Sequence, residues 1–324
     1  MKHLPRFSIL VALAVFCFAG SQTRSTSAAG SFFAAVASAQ DQMPPDQGPD
    51  PADVNQAPMP QDAASSGQSY TTDAPPPPNQ AGAPDQNPDD SNYAEQPSAT
   101  APEAPPALPD YDQPPPPADG YPWTPGYWAW GAGGYYWVPG AWVEPPYGGA
   151  LWTPGYWGFY GGRYLFYPGH WGLHIGFYGG IHYGFGYFGL GYEGGYWNRG
   201  HFFYNRVYNH INERVVHNVY NYRANVHVDN FARPSYRGGP NGVVARPRPE
   251  EGAAWREPYA PRMNSQVQHE QNYRDMHEQY ANQNHGRPPA TAINRPIPAD
   301  HNVHPQQHES HGGGGHDGGH DGHR

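Results

Sequence analysis

Two groups of side chains in this sequence have the types and spacing that chemistry requires. The first is a run of histidines near the C-terminus: His301, His304, His308, His311, His316, His320 and His323, interleaved with Asp317 and Asp321. Imidazole suits Zn²⁺, Cu²⁺ and Ni²⁺, and a flexible run can gather three or four ligands around one divalent ion. The same composition also serves as a solubilising tail that turns partly cationic below about pH 6.5. The second group is aromatic. Four units of the form W-x-P-G-x-W recur at intervals of 14 or 15 residues: Trp123 to Trp128, Trp137 to Trp142, Trp152 to Trp157, and Phe166 to Trp171. Flat rings stack on the C–H faces of sugars while tyrosine hydroxyls hydrogen-bond, and exposed aromatic patches mark interaction sites. The competing use of the same rings is as the core of a small sheet.

Other chemistry is missing. The acids among the aromatic residues, Glu144, Glu193, Glu213 and Asp229, are scattered, so no paired carboxylates suggest glycosidase work. No nucleophile elbow or phosphate-binding loop occurs, and the many Gly-x-Gly strings are low-complexity matches. Lys2 is the only lysine and Cys17 the only cysteine. A chain trimmed of its N-terminus has no Schiff-base lysine, disulfide or thiolate metal site. His170, His174, His182 and His201 read as polar turn and rim residues. The expectation is a protein that is not an enzyme and requires no cofactor, with a transition metal at the tail as the one candidate.

The elements that must position the rings follow from a mirror property of the repeat. Read backwards, each unit still has an aromatic at both ends and a turn pair in the middle. Antiparallel neighbours can therefore match Trp with Trp and Pro-Gly with Pro-Gly. Hairpins centred between Ala132 and Gly133, at Tyr147, and between Gly161 and Gly162 predict a four-stranded antiparallel meander. It would carry two aromatic columns, Trp123/Trp142/Trp152/Trp171 and Trp128/Trp137/Trp157/Phe166. The five-residue step within a unit predicts a bulge at Pro-Gly that returns both rings to one face. Two rivals exist. Pro-Gly can form a type II turn, or the units can stack as a parallel solenoid with Trp123 on Trp137.

At these residues the chain resembles the bacterial YXWGXW-repeat proteins, with Tyr121, Trp123, Gly126 and Trp128 forming one unit and Tyr135 opening the next. The third unit has Ala150 at the tyrosine position, and the fourth keeps Tyr164 but has Phe166 for Trp. The likeness continues through residues 176–187, 194–197, 201–205, 241–247 and 284–288. The resemblance implies export and a short aromatic repeat, and it carries over no catalytic residue or ligand.

Composition places these parts in a larger plan. Gly (41) and Pro (40) make up a quarter of the 324 residues, aromatics reach 15% and charged residues only 14%, so most of the chain reads as disordered around a small all-β domain. Residues 1–39 read as a signal peptide: Lys2 and Arg6 precede a short apolar run, and Ala37-x-Ala39 suits cleavage before Gln40, with a cut near Ala28 or an uncleaved anchor as alternatives. Phe16 before Cys17 argues against a lipid-attachment site. Residues 40–119 form an acidic Pro-rich tract, expected to be a disordered linker. The β domain spans 120–230. Residues 231–300 are extended, with a polar helix near 265–284 that Ser265 and Gln268 would cap and whose Tyr273, Met276 and Tyr280 share a face. The tail, 301–324, is His- and Gly-rich.

Charge and hydropathy bound the partners. The net charge of −10 sits almost wholly in the acidic tract, no basic stripe emerges, and nucleic acid is not an expected partner. No segment after the signal is apolar enough to cross a membrane as a helix, and the units are too short for barrel strands, which leaves peripheral contact through aromatic rims open. The expected function is an exported, non-enzymatic structural or interaction protein of the cell envelope or extracellular space. It would bind glycan or envelope polymer through Trp and Tyr surfaces. Metal binding or sequestration by the His-rich tail is the alternative.

Overall fold

The computed structural model describes residues 51–57, 96–225 and 233–307, all within one compact unit. The signal peptide and most of the acidic tract lie outside the described residues. A single helical turn, α1 (Pro51–Val54), precedes a strand β1 (Ala99–Ala101). The four repeat units then form eight short strands: β2 (Trp123–Thr124), β3 (Tyr127–Gly131), β4 (Gly134–Val138), β5 (Ala141–Trp142), β6 (Leu151–Thr153), β7 (Tyr156–Tyr160), β8 (Arg163–Tyr167) and β9 (His170–Gly172).

They pair as two hairpins. In the first, β3 pairs with β4 and β2 with β5, setting Trp128 opposite Trp137 and Trp123 opposite Trp142. In the second, β7 pairs with β8 and β6 with β9, setting Trp157 opposite Phe166 and Trp152 opposite Trp171. The turns fall where the glycines predict. Gly161 and Gly162 both have positive φ, at 58° and 78°, the conformation whose twist matches flanking strands. The first hairpin turns at Ala132 and Gly133, between the Gly131–Gly134 pair. Trp123 lies over Trp142, ring centres 5.1 Å apart, and not over Trp137, which excludes the solenoid.

Two expectations need correction. No bulge forms at Pro-Gly. Thr124 pairs with Ala141 and Tyr127 with Val138, so each strand spends the same two residues and the register passes through unchanged. Proline has no N–H for the ladder, and the glycine beside it carries a ring instead of a partner strand. A Cβ on Gly140 would fall 2.6 Å from Cζ2 of Trp123, and one on Gly155 2.9 Å from Cζ of Phe166; Gly126 and Gly169 seat Trp137 and Trp152 in the same way. The leading aromatic of each unit therefore rests on the glycine of the facing unit. These glycines do not have positive φ, so the Pro-Gly pairs are not type II turns.

The meander also stops short of four strands. The two columns break between β5 and β6, so Trp142 does not pair with Trp152, nor Trp137 with Trp157. At Tyr147 the chain makes a turn, Ala150 N–H to Tyr147 O, rather than a ladder. The edges the meander needs are held by distant segments. Gly140 and Val143 bridge to Ala292 and Ile297 beside β5. β1 takes the outer edge of β8. β15 (Tyr236–Arg237) runs parallel on β7, and β16 (Ala260–Pro261) pairs with β9.

Between the hairpins and these flanks the Gly-rich stretch supplies β10 (His182–Gly184) with β11 (Tyr187–Phe188), and β12 (Gly195–Asn198) with β13 (His201–Asn205), to which β14 (Val219–Tyr220) adds in parallel. The helices are α2 (Pro249–Trp255), α3 (Asn264–Arg274) and α4 (Ala281–Asn284), with a 3-10 turn at His277–Gln279. The helix expected over 265–284 is thus broken after Arg274. Its cap is Gln266, which accepts the Met263 N–H, while Ser265 donates instead to Pro298 O. Its buried residue is the polar Gln266, and the expected shared face is lost at the break: Met276 is 39% exposed while Tyr280 packs on Tyr136 with ring centres 5.4 Å apart.

The boundaries drawn from composition shift as well. Residues 96–119, expected to belong to a disordered linker, are packed onto the hairpins, and the segment 233–307 is folded around them. Carbonyl groups of a Pro-rich chain can satisfy donors in a core, a use that composition does not reveal. No helix among the described residues is long and apolar enough to cross a membrane.

Candidate functional site

The expected site residues are the core. Trp123, Trp137 and Trp171 have no exposed surface, Trp128 and Trp142 are 1% exposed, and Trp157, Phe166 and Trp152 reach only 2%, 5% and 6%. This corrects the reading of the columns as an exposed binding platform. A small sheet alone could not hide so many indoles; the straps and the Gly-rich stretch cover what the hairpins leave bare. Cross-strand aromatic pairs add about 0.5–1.5 kcal/mol each beyond area burial. Four such ring pairs, with centres 5.1–5.2 Å apart, line the two hairpins.

A buried indole N–H needs an acceptor, and Trp128, Trp137, Trp142, Trp157 and Trp171 each find one outside their own hairpin, whereas the buried Trp123 Nε1 has none among the described residues. Trp128 Nε1 donates to Ala107 O at 3.1 Å and Trp142 Nε1 to Pro114 O at 2.7 Å, both on the Pro-rich strap of residues 103–117. Trp137 Nε1 reaches Thr291 O at 3.0 Å on a second strap, residues 289–298. Trp157 Nε1 donates to Trp128 O at 2.7 Å, joining hairpin to hairpin, where the Tyr135 and Trp157 rings meet edge to face. Trp171 Nε1 reaches Gln266 Oε1 on α3 at 2.9 Å.

The Pro-Gly breaks act as sockets. Interrupting the ladder frees backbone groups that must be paired elsewhere. The Gly126 N–H donates to the Tyr111 hydroxyl of the first strap, and burial of that phenol pushes it up to about 12. Gly140 donates to Thr291 O and accepts from Ile293 N–H. Gly155 O accepts from the Tyr183 hydroxyl at 2.6 Å. The Tyr187 hydroxyl donates to Trp152 O at 2.7 Å and faces Trp123 O at 3.3 Å, the same position in each hairpin. These tyrosines come from the strap, which the sequence reading placed in a disordered linker, and from the Gly-rich stretch, to which it gave no contact.

A second feature missed in the sequence is a charged latch between α3 and the first hairpin. Glu270 accepts from the Tyr127 hydroxyl at 2.8 Å and the Tyr136 hydroxyl at 3.2 Å, and pairs with Arg262 and Arg274. Burial alone would raise this carboxyl, but Arg262 and the phenol donors outweigh it and hold it below its ordinary value. Tyr127 moves well above its ordinary value, by burial first and by Glu270 second. The available signal was the pair of tyrosines at Tyr127 and Tyr136, on the strand face opposite Trp128 and Trp137.

The histidines divide. His170 is buried against Trp255 and Tyr259, His174 contacts Glu257 at 2.8 Å, and burial lowers His182. Among the described residues no three His, Cys, Asp or Glu converge as metal ligands. His301 and His304 are exposed. His308, His311, His316, His320 and His323 lie outside the described residues.

No curated protein and no solved structure matches the chain. Residues 119–143 match the model of the WXXGXW repeat, in two copies. Those residues span the first hairpin from the start of β2 to the end of β5. The chain therefore carries the WXXGXW repeat, with two copies facing each other across one hairpin.

Proposed function

We propose that this is an exported, non-enzymatic structural or interaction protein of the cell envelope or extracellular space, in which the repeat builds a rigid aromatic module. One observation supports this best: the repeat rings are buried, and Trp128, Trp137, Trp142, Trp157 and Trp171 donate to other segments of the same chain, so their chemistry goes into construction. Glycan or envelope polymer is the proposed partner, met at the rim and not at the columns. Tyr160, 54% exposed at the tip of the second hairpin beside Arg163, is the rim aromatic best placed for stacking.

Fractionating cells and measuring the mass of the mature N-terminus tests export; a chain retained in the cytoplasm with its first residues intact would end that part. Sedimentation with insoluble peptidoglycan tests the partner. Tyr160→Ala is expected to lower binding without changing stability, and absence of binding across a glycan panel would retire the polymer.

A metal-binding tail is the second reading. It is favoured by the exposure of His301 and His304 beside the last bridge of the fold, Tyr259 to Gln306. Calorimetry with Zn²⁺, Cu²⁺ and Ni²⁺ on chains with and without residues 301–324 decides it, equal affinities ending the idea.

A further inference from the structure

We infer that the aromatic hairpins form a receptor groove for a Pro-rich segment, filled here by the chain's own residues 99–117 and open to the same segment of a second copy. The strap holds Pro102, Pro105, Pro106, Pro109 and a run at residues 114–117, and from residue 104 to 116 it has no helix or ladder of its own. Proline fixes φ and removes the N–H, so such a chain is pre-extended and offers its surroundings carbonyls.

The groove is built for that offer. Trp128, Trp142, Tyr135 and Ser235 all donate to strap carbonyls: Ala107, Pro114, Glu103 and Pro106. Aromatic donors on the carbonyls of an extended Pro-rich chain are the physical basis of polyproline recognition in general. Two apolar anchors fix the register. Leu108 is buried, and the Tyr111 ring packs edge-on to Trp137 at 6.0 Å while its hydroxyl fills the Pro-Gly socket. Charge agrees: Asp110 pairs with Arg233 at 2.9 Å.

Exchange follows from how the strap is tethered. At its start it lies on the second hairpin, through β1 on β8; at its end it lies on the first. It joins β2 only through residues 118–122, where Gly120 turns at φ 88°. A second copy supplies an identical strap, so every donor is satisfied equally in trans, and swapping an identical element is a low-cost route to dimers. An empty groove would instead leave at least four buried or half-buried donors without partners.

The test uses the direct pairing of Thr100 with Leu165 across β1 and β8. Full-length chains carrying Cys17→Ser and either Thr100→Cys or Leu165→Cys, with different tags, are co-produced and then oxidised. The expected result is a disulfide-linked dimer bearing both tags, whose share rises with protein concentration. Pairing Thr100→Cys with Leu173→Cys, a position 50% exposed away from the strap, measures chance collision. The double variant Thr100→Cys/Leu165→Cys, produced alone, closes within one chain and shows that the geometry permits the bond. A double variant that closes, together with a mixed pair giving no more dimer than the Leu173→Cys reference, would overturn the inference.

Discussion

The two hairpins share a ladder and differ in what surrounds it. Position by position, 29 residues apart, Trp123 corresponds to Trp152, Gly126 to Gly155, Trp128 to Trp157 and Trp142 to Trp171. In both, paired rings face each other and glycines seat the leading aromatics. The first hairpin is wrapped by two Pro-rich straps whose carbonyls take the indole protons of Trp128, Trp137 and Trp142. The second is flanked by strands β1, β15 and β16, and its Trp171 turns to a glutamine side chain. The exceptional residue shows the rule: Trp137 needs Thr291 O, while Phe166 at the matching place has no N–H to satisfy.

The comparison can be broken most sharply at those matched rings. Trp137→Ala and Phe166→Ala should each lose about 3–5 kcal/mol in urea unfolding, because each empties a seat in the core. Equal and small losses would mean the hairpins fold without their columns. Next come the seats. Gly140→Ala and Gly155→Ala should each destabilise by about 1–3 kcal/mol through overpacking, against Trp123 in the first hairpin and against the backbone of Tyr167 and Gly169 as well as Phe166 in the second, measured by the same unfolding curves. A neutral result at Gly140 would show that the ring gives way, and one at Gly155 that the facing strand shifts.

Trp137→Phe sharpens the contrast further. It keeps the ring and removes the N–H, and should lose about 1–2 kcal/mol as Thr291 O loses a donor. Phe166→Trp, by contrast, should be destabilising unless its new N–H finds an acceptor.

The smallest effect is a pH dependence from the Glu270 latch on the first hairpin. Glu270 is held below its ordinary value, so its contribution is full above the unfolded carboxyl value of 4.5 and is lost as pH falls through the lower folded value. Stability should decline on that acidic limb by about 1 kcal/mol or somewhat more. Glu270→Gln should flatten the limb, and an unchanged profile would show that the latch is not ionised as described.

Much of the ladder was legible in the spacing, and for a local reason. The mirror-symmetric unit and the Gly-Gly turns leave one register in which Trp meets Trp, and both hairpins adopt it. The middle turn at Tyr147 was not legible, because the edge beside β5 is taken by residues 292–297, more than 140 positions away. Nor did the composition of residues 96–119 announce a packed strap. A Pro-rich, acidic stretch lacks the apolar side chains that signal a core, and its contribution comes through carbonyls that every residue possesses. Glu270 was hidden in the same way: on a polar helix nothing distinguishes a carboxylate that meets two phenols from one that meets water.

By itself, then, the sequence determined the contacts that turns and ring spacing enforce within about twenty residues. These are the hairpin registers and the facing of Pro-Gly with Pro-Gly. Only the tertiary structure decided that the aromatic columns face inward, that the meander divides into two hairpins, and which segments receive the indole protons. The physical reason is that local pairing is set by geometry along one chain, whereas each broken ladder and buried N–H can be satisfied by any distant carbonyl, and the fold settles which one.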